Sequence, residues 1–331
     1  MSEGMKRRKF ITLVGGAAVW PLAARAQQPA MPVVGFLSGI SAGERPHLVD
    51  SFRRGLSEAG YLAGQNVAVE YRYAENQPDR LRALAADLIA RQVAVIAATG
   101  GNNSALVAKS LTTTIPIVFT SGVDPVRAGL VSSFSQPEGN VTGVSWFSVD
   151  LGAKHLELVR EVVPAATLIA VIVNPRNREA ALYEQPLRAA ATRVPRLQLE
   201  ILKASTAGEI DAAFETLVQH KASAVIIASD PFLTARARQF AVLAARNSIA
   251  MVTGTRDFTM AGCIISYGND TADAYRRAGV YAGRILKGVK PADLPIDRAT
   301  KFELIINVQT ARALKFDIPA RLLATADEVI E

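Results

Sequence analysis

The sequence predicts an α/β protein made of two doubly wound parallel-sheet lobes. Three observations carry this reading. Short runs such as LIAVIVN (168–174) and SAVIIAS (223–229) are near-continuous in Val, Ile and Ala, as strands covered by helices on both faces are. Between such runs lie stretches such as PDRLRALAADLIARQ (78–92) and EIDAAFETLVQH (209–220), with apolar residues at three- and four-residue spacing, as amphipathic helices require. The alternation repeats about ten times before residue 270, and two sheets of about five strands fit domain sizes better than one of ten.

The expected strands are, in order, Val33–Leu37, Val67–Tyr71, Val93–Thr99, Ile115–Thr120 and Val141–Phe147. After them come Leu168–Asn174, Leu197–Lys203, Ala224–Ser229, Ile249–Thr253, Cys263–Tyr267 and Phe302–Asn307. The break between lobes falls after the fifth, near NVTGVSWFSVD (140–150). DAYRRAGVYAGRILKG (273–288) reads as a helix with no strand of its own immediately ahead of Pro291, so it can return to the first lobe. Phe302–Asn307 and the tail then go back to the second. The expected lobes are 31–145 with about 268–299, and 146–267 with about 300–331.

Residues 1–26 read as a cleaved export signal. Lys6, Arg7, Arg8 and Lys9 precede an uncharged run from Phe10 to Ala24, broken by Gly15-Gly16 and Pro21. A spanning helix needs about 20 apolar residues, so this run is short for an anchor. It ends in the small-x-small pattern Ala24-Arg25-Ala26, as secretory signals do. Arg7-Arg8-Lys9-Phe10-Ile11 resembles a twin-arginine export signal. Cys263 is the only cysteine, so the expectation is a periplasmic chain without lipid anchor or disulfide.

Removing the leader changes the charge. Of 37 basic and 30 acidic residues, 32 and 29 remain, a net +3. That is no nucleic-acid footprint.

In open parallel sheets, ligands bind beyond the C-terminal ends of the strands. The first lobe offers Ser38-Gly39, TGGNNSA (99–105) and TSGVDPV (120–126) there. The second offers NPRN (174–177), SDPF (229–232) and TGTRDF (253–258). Asp124-Pro125, Asn174-Pro175 and Asp230-Pro231 each place a capping residue before a proline, which predicts three helix N-termini at the ligand edges. The same pattern is ordinary capping in any α/β protein. Gly100-Gly101 allows close approach to the backbone. Arg256 can hold a carboxylate with two bonds, or pair with Asp257. Tyr267-Gly268 ends a strand, where the ring can stack on a ligand or pack in the core.

Catalytic motifs are sparse. His47, His155 and His220 all fall in helical or pre-helical stretches, and His155 and His220 read as solvated helix residues. No Gly-x-Ser-x-Gly, His-x-x-x-His or Cys-x-x-Cys is present. Neither a metal nor a cofactor is expected.

The chain resembles the solute-binding proteins of ABC importers, a family with relatives linked to tryptophan or tyrosine uptake. The stretches that carry the resemblance include VVGFLS, FRRGLSEAGYLAGQNVAVEYRYAE, TTTIPIVFTSGVDPVRAGLV, GNVTGVS, ASDPF, SYGNDTADAYRRAGVYAGRILKG, KFELIINVQTARAL and ATADEVIE. The resemblance implies a type I periplasmic binding protein-like fold, two α/β lobes joined by a three-crossover hinge, with the ligand between them. It implies a cleft around Ser38, Gly100, Gly101, Thr120, Ser121 and Asp124 from the first lobe. Asn174, Asp230, Phe232 and Arg256 come from the second, and Tyr267 and Gly268 from a crossover. Asn102-Asn103 departs from a Thr-Pro-like pair in relatives, and TGTRDF departs just ahead of Arg256, so no relative's ligand transfers directly. The implied function is capture of a small polar or aromatic solute, amino-acid-like or an aromatic carboxylate, by hinge closure. The partners are a permease with its ATPase, membrane contact is made only through that permease, and the chain is expected to be a monomer. Two other readings stay open: a ligand-sensing module for a membrane receptor, and an enzyme on a doubly wound fold.

Overall fold

The computed structural model describes residues 31–146, 151–177 and 180–331. The export-signal reading and Phe147 lie outside the described residues. No helix among the described residues is long and apolar enough to cross a membrane.

The first sheet is built as the apolar runs predict. Strands β1 (Val33–Ser38), β2 (Ala68–Tyr73), β3 (Val95–Thr99), β4 (Ile117–Ser121) and β5 (Val141–Ser145) alternate with helices α1 (Pro46–Glu58), α2 (Leu81–Ala90) and α3 (Asn102–Leu111). The second half runs α4 (Leu151–Val162), β6 (Leu168–Val173), α5 (Ala180–Ala191), β7 (Gln198–Lys203), α6 (Ala207–Gln219) and β8 (Ala224–Ile227). It continues through α7 (Pro231–Thr234), α8 (Ala237–Asn247), β9 (Ala250–Thr253), α9 (Arg256–Met260) and β10 (Ile265–Asn269). Then α10 (Thr271–Leu286) and β11 (Asp297–Arg298) precede β12 (Phe302–Asn307), α11 (Val308–Ala313), α12 (Ala320–Ala324) and β13 (Glu328–Ile330).

The first sheet has the order β11-β5-β4-β3-β1-β2 and is parallel throughout. The second has the order β13-β12-β10-β9-β8-β6-β7. One pairing departs from the parallel expectation: β10 and β12 run antiparallel, with Tyr267 opposite Leu304. The intervening chain visits the other lobe and comes back, so β12 re-enters beside β10 from the opposite end.

Each sheet is covered on both faces, which makes four cores. In the first lobe, Phe36, Phe52, Leu56 and Val118 pack with Tyr275, Ala278 and Ala282 of α10. Leu37, Leu88, Ile96 and Phe119 fill the opposite face. In the second, Leu156, Val159 and Ile306 form one core, and Phe214, Phe240 and Phe258 the other. The helix over 271–286 therefore lies on the first lobe. Arg276 fastens it to α1 through Glu58 at 2.6 Å.

Among the described residues, successive elements change lobe three times: after β5, after β10 and after β11. Backbone and side chains tie these crossovers together. Ala299 N–H donates to Ser145 O at 2.9 Å, and Asp270 N–H to Lys301 O at 3.0 Å. Asn269 Nδ2 donates to Ala299 O at 3.2 Å, and Lys301 Nζ pairs with Asp270 at 2.9 Å.

Candidate functional site

The C-terminal edge of the first sheet gathers several predicted residues. Ser38 ends β1 with Tyr73 and Thr99 as its register partners. Gly39 N–H donates to Thr99 O at 3.1 Å, which draws the β1 and β3 loops together. Gly100 has φ +69°, and a Cβ there would lie 2.7 Å from Ser38 Oγ. Glycine is demanded twice, by conformation and by space. Gly101 caps α3 without a side-chain bond, which leaves the first N–H groups of this ten-residue helix without an intrahelical partner at the sheet edge. Ser121 is less free than expected: its hydroxyl already bonds Asn102 Oδ1 at 2.7 Å. Thr120, 1 % exposed, keeps a hydroxyl with no partner among the described residues.

Two of the three predicted helix N-termini are corrected. Asp124 Oδ1 accepts from Val126 N–H at 2.9 Å and Arg127 N–H at 3.2 Å, but the residues that follow form turns, not a helix. Asn174 Oδ1 accepts from Arg176 N–H at 3.0 Å, again in a turn, and α5 begins only at Ala180. Asp230 is a true cap, accepting from Leu233 N–H at 3.0 Å, yet its helix is one turn long. A single turn sums too few peptide dipoles for the anion site that the sequence suggests.

On the second lobe's edge, Asn174 and Asp230 do come together. Asp230, 7 % exposed, accepts from Asn174 Nδ2 and from Asn177 Nδ2, both at 3.1 Å. One buried carboxylate thus organises the loops after β6 and β8. Asp230→Ala should lower stability by ~2 kcal/mol through loss of the cap and of both amide contacts, read as a shift in the urea midpoint.

Arg256, Phe232, Tyr267 and Gly268 are placed differently from the expectation. Arg256 Nη2 binds Glu328 at 2.6 Å and Glu303 at 3.3 Å, both from its own lobe. Burial raises the Glu303 carboxyl above its ordinary range, with Arg256 opposing. Phe232 packs against a second-lobe core, under the Arg236 guanidinium at 5.7 Å. The Tyr267 ring stacks on Phe302, with centroids 5.6 Å apart and 7° between planes. A Cβ on Gly268 would lie 1.8 Å from Gly254 O, so this glycine serves backbone packing between β10 and the loop after β9.

His155 corrects the solvated reading outright: it is fully buried. Its Nε2 lies 2.7 Å from Tyr267 O and its Nδ1 2.6 Å from the Tyr183 hydroxyl. A carbonyl only accepts, so Nε2 carries the proton and Nδ1 accepts from Tyr183. Burial lowers its pKa to about 4, partly opposed by the Tyr267 bond, and burial raises the Tyr183 hydroxyl. His220, in contrast, is half-exposed and bonds Glu200 at 2.8 Å.

Sequence reasoning missed Arg45, Tyr73 and Tyr275. With Phe36 and Ser38 they line a small cavity at the first lobe's edge. Tyr275 comes from α10, and its hydroxyl accepts from Gly100 N–H at 3.1 Å. Arg45 immediately precedes α1 and reaches across to Asp257 of α9 at 3.7 Å. The N-terminal end of α1 in the first lobe therefore meets α9 of the second.

A family model described as "ABC transporter substrate binding protein" matches residues 33–330. A tyrosine-binding protein from Clostridioides difficile is 29 % identical over 266 residues, which cover 80 % of this chain and 75 % of that one. The crystal structure of a conserved domain protein from Vibrio cholerae superposes with TM-score 0.81 at 26 % identity, covering 90 % of this chain and 99 % of that one. An ABC domain in complex with L-Trp, from Streptococcus pneumoniae, also gives 0.81, at 22 % identity and the same coverage.

Proposed function

We propose a function from one premise: the chain belongs to the ABC transporter substrate binding protein family. It is the extracytoplasmic solute-binding component of an ABC importer, exported to the periplasm by a cleaved twin-arginine signal. It captures an aromatic amino acid or a close analogue and hands it to a permease driven by its ATPase. The observation that supports binding in the cleft is the meeting of the two lobes at Arg45 and Asp257. The tyrosine-binding relative supports the ligand class.

The lobe boundary expected near 268 moves to about 270, because β10 runs to Asn269 in the second sheet; the lobes are then residues 31–145 with about 270–299, and 151–269 with about 300–331, and they move as units about the three crossovers. Ligand first meets the edge carrying Ser38, Gly100, Gly101 and Thr120. Closure then brings Asn174, Asp230 and the α9 turn against it.

Thermal unfolding with amino acids, aromatic acids and nucleobases tests this. A ligand at 100 times its Kd stabilises by ~2.7 kcal/mol, roughly 5–10 °C for a chain of this size. Tyrosine or tryptophan should give that shift and glutamate none. A flat response to every amino acid, with turnover of some other compound, sinks the reading.

A further inference from the structure

We propose that Arg45 and Asp257 form a split recognition site for a zwitterion. Arg45 takes the ligand's carboxylate and Asp257 its ammonium group, and the two side chains face each other when no ligand intervenes. This rests on the amino-acid reading above and names the charges that the cleft selects.

Arg45 and Asp257 form an incomplete ion pair. Arg45 is the most buried of the ion-paired arginines among the described residues, at 16 % exposure, and Asp257 is 22 % exposed. Their contact is 3.7 Å, too long for a hydrogen bond. Neither side chain makes a hydrogen bond to a described residue of its own lobe. Arg72, nearly as buried, shows what a completed guanidinium looks like here: it has Asp87 at 2.6 Å and Glu70 at 3.1 Å. Arg256, beside Asp257 in sequence, is likewise taken by Glu303 and Glu328. Arg45 and Asp257 thus keep most of their bonding capacity at the cleft, although charges this buried are costly unless paired.

A second observation lies beside Arg45. Ser38, 1 % exposed, lines the same cavity, and its hydroxyl has no hydrogen-bond partner among the described residues. Phe36, Tyr73 and Tyr275 surround it. An unbonded hydroxyl beside an unsatisfied guanidinium suits a carboxylate, and the ring that carries it would lie outside this small cavity.

The split between lobes sets the selectivity. A ligand with only a carboxylate satisfies Arg45 and leaves Asp257 unpaired as the cleft closes. A ligand with only an amine does the reverse. Each pays the cost of a stranded charge, so rejection comes from the missing partner. Only a zwitterion completes both lobes, which couples the choice of ligand to closure.

Calorimetric titration with L-tyrosine, tyramine and 3-(4-hydroxyphenyl)propanoate, and with the tryptophan counterparts, tests this. Wild-type protein should bind the amino acid at least 100-fold tighter than either truncated analogue. Arg45→Gln should weaken the amino acid 10- to 100-fold while binding tyramine or tryptamine at least as tightly as wild type does, because no guanidinium is left stranded. Asp257→Asn should weaken it similarly while binding the propanoate at least as tightly as wild type does, because no carboxylate is left stranded. Retained analogue binding also shows that each variant is folded. Amino-acid binding within threefold of wild type in both variants overturns the proposal and leaves the amino-acid reading standing. Wild-type protein that binds neither amino acid overturns that reading and takes the proposal with it.

Discussion

Gly268→Ala is expected to destabilise the protein in the absence of any ligand, by about 3 kcal/mol or more. The added Cβ would lie 1.8 Å from Gly254 O, 2.7 Å from Gly254 C and 3.3 Å from Gly254 Cα. All three atoms are backbone, so no side chain can rotate away. Relief requires β10 and the loop after β9 to separate. That loop opens α9, and with it Arg256 and Asp257. Thermal melting of the ligand-free variant should show Tm lowered by roughly 6–12 °C, and amino-acid binding should fall because Asp257 shifts. The competing idea, that Gly268 only gives a ligand access to the backbone, predicts an unchanged melt with weakened binding. An unchanged Tm would therefore restore Gly268 to the list of ligand contacts.

The contrast shows where the sequence was informative. Runs of Val, Ile and Ala mark strands buried on both faces, and β6 and β8 lie inside LIAVIVN and SAVIIAS. β11 and β13 were not legible. They are two and three residues long, and backbone pairing at the sheet edges holds them in place of an apolar pattern. Ends of strands locate the C-terminal edge of a sheet because topology fixes it, which is why Ser38 and Gly100 could be placed there from the sequence. Side chains that come from elsewhere in the chain could not. Tyr275 reaches Gly100 only because α10 crosses back from the second lobe, and Arg45 meets Asp257 only because another lobe supplies it. The partners of Arg256 are hidden for the same reason, since Glu303 and Glu328 lie far away in sequence. His155 was legible and overlooked. It shares the i, i+4, i+7 stripe of Val159 and Val162, the buried face of α4.

That buried histidine gives the second large effect, a loss of stability on mild acidification. In the fold, His155 is neutral down to about pH 4, whereas in the unfolded chain it titrates near 6.5. Above pH 6.5 it is neutral in both states and contributes no pH dependence. Below 6.5 the unfolded chain gains a proton that the fold refuses, so stability falls with pH until the folded site titrates as well. The full loss across this window is ~3 kcal/mol. Carboxylates titrate in the lower part of the same window, so the comparison must be with His155→Gln. Glutamine can still donate to Tyr267 O and accept from the Tyr183 hydroxyl, but it takes no proton. Urea unfolding at pH 7 and pH 4.5 should show wild type losing ~2–3 kcal/mol more than the variant. Equal losses would mean that water reaches His155 and lets it charge inside the fold. The consequence extends to the cleft, because His155 holds the carbonyl of Tyr267, one residue before the Gly268–Gly254 contact. Acid should therefore loosen the second lobe's edge before the first, and amide exchange along β10 should rise ahead of that along β4 as the pH falls from 6.5 toward 4.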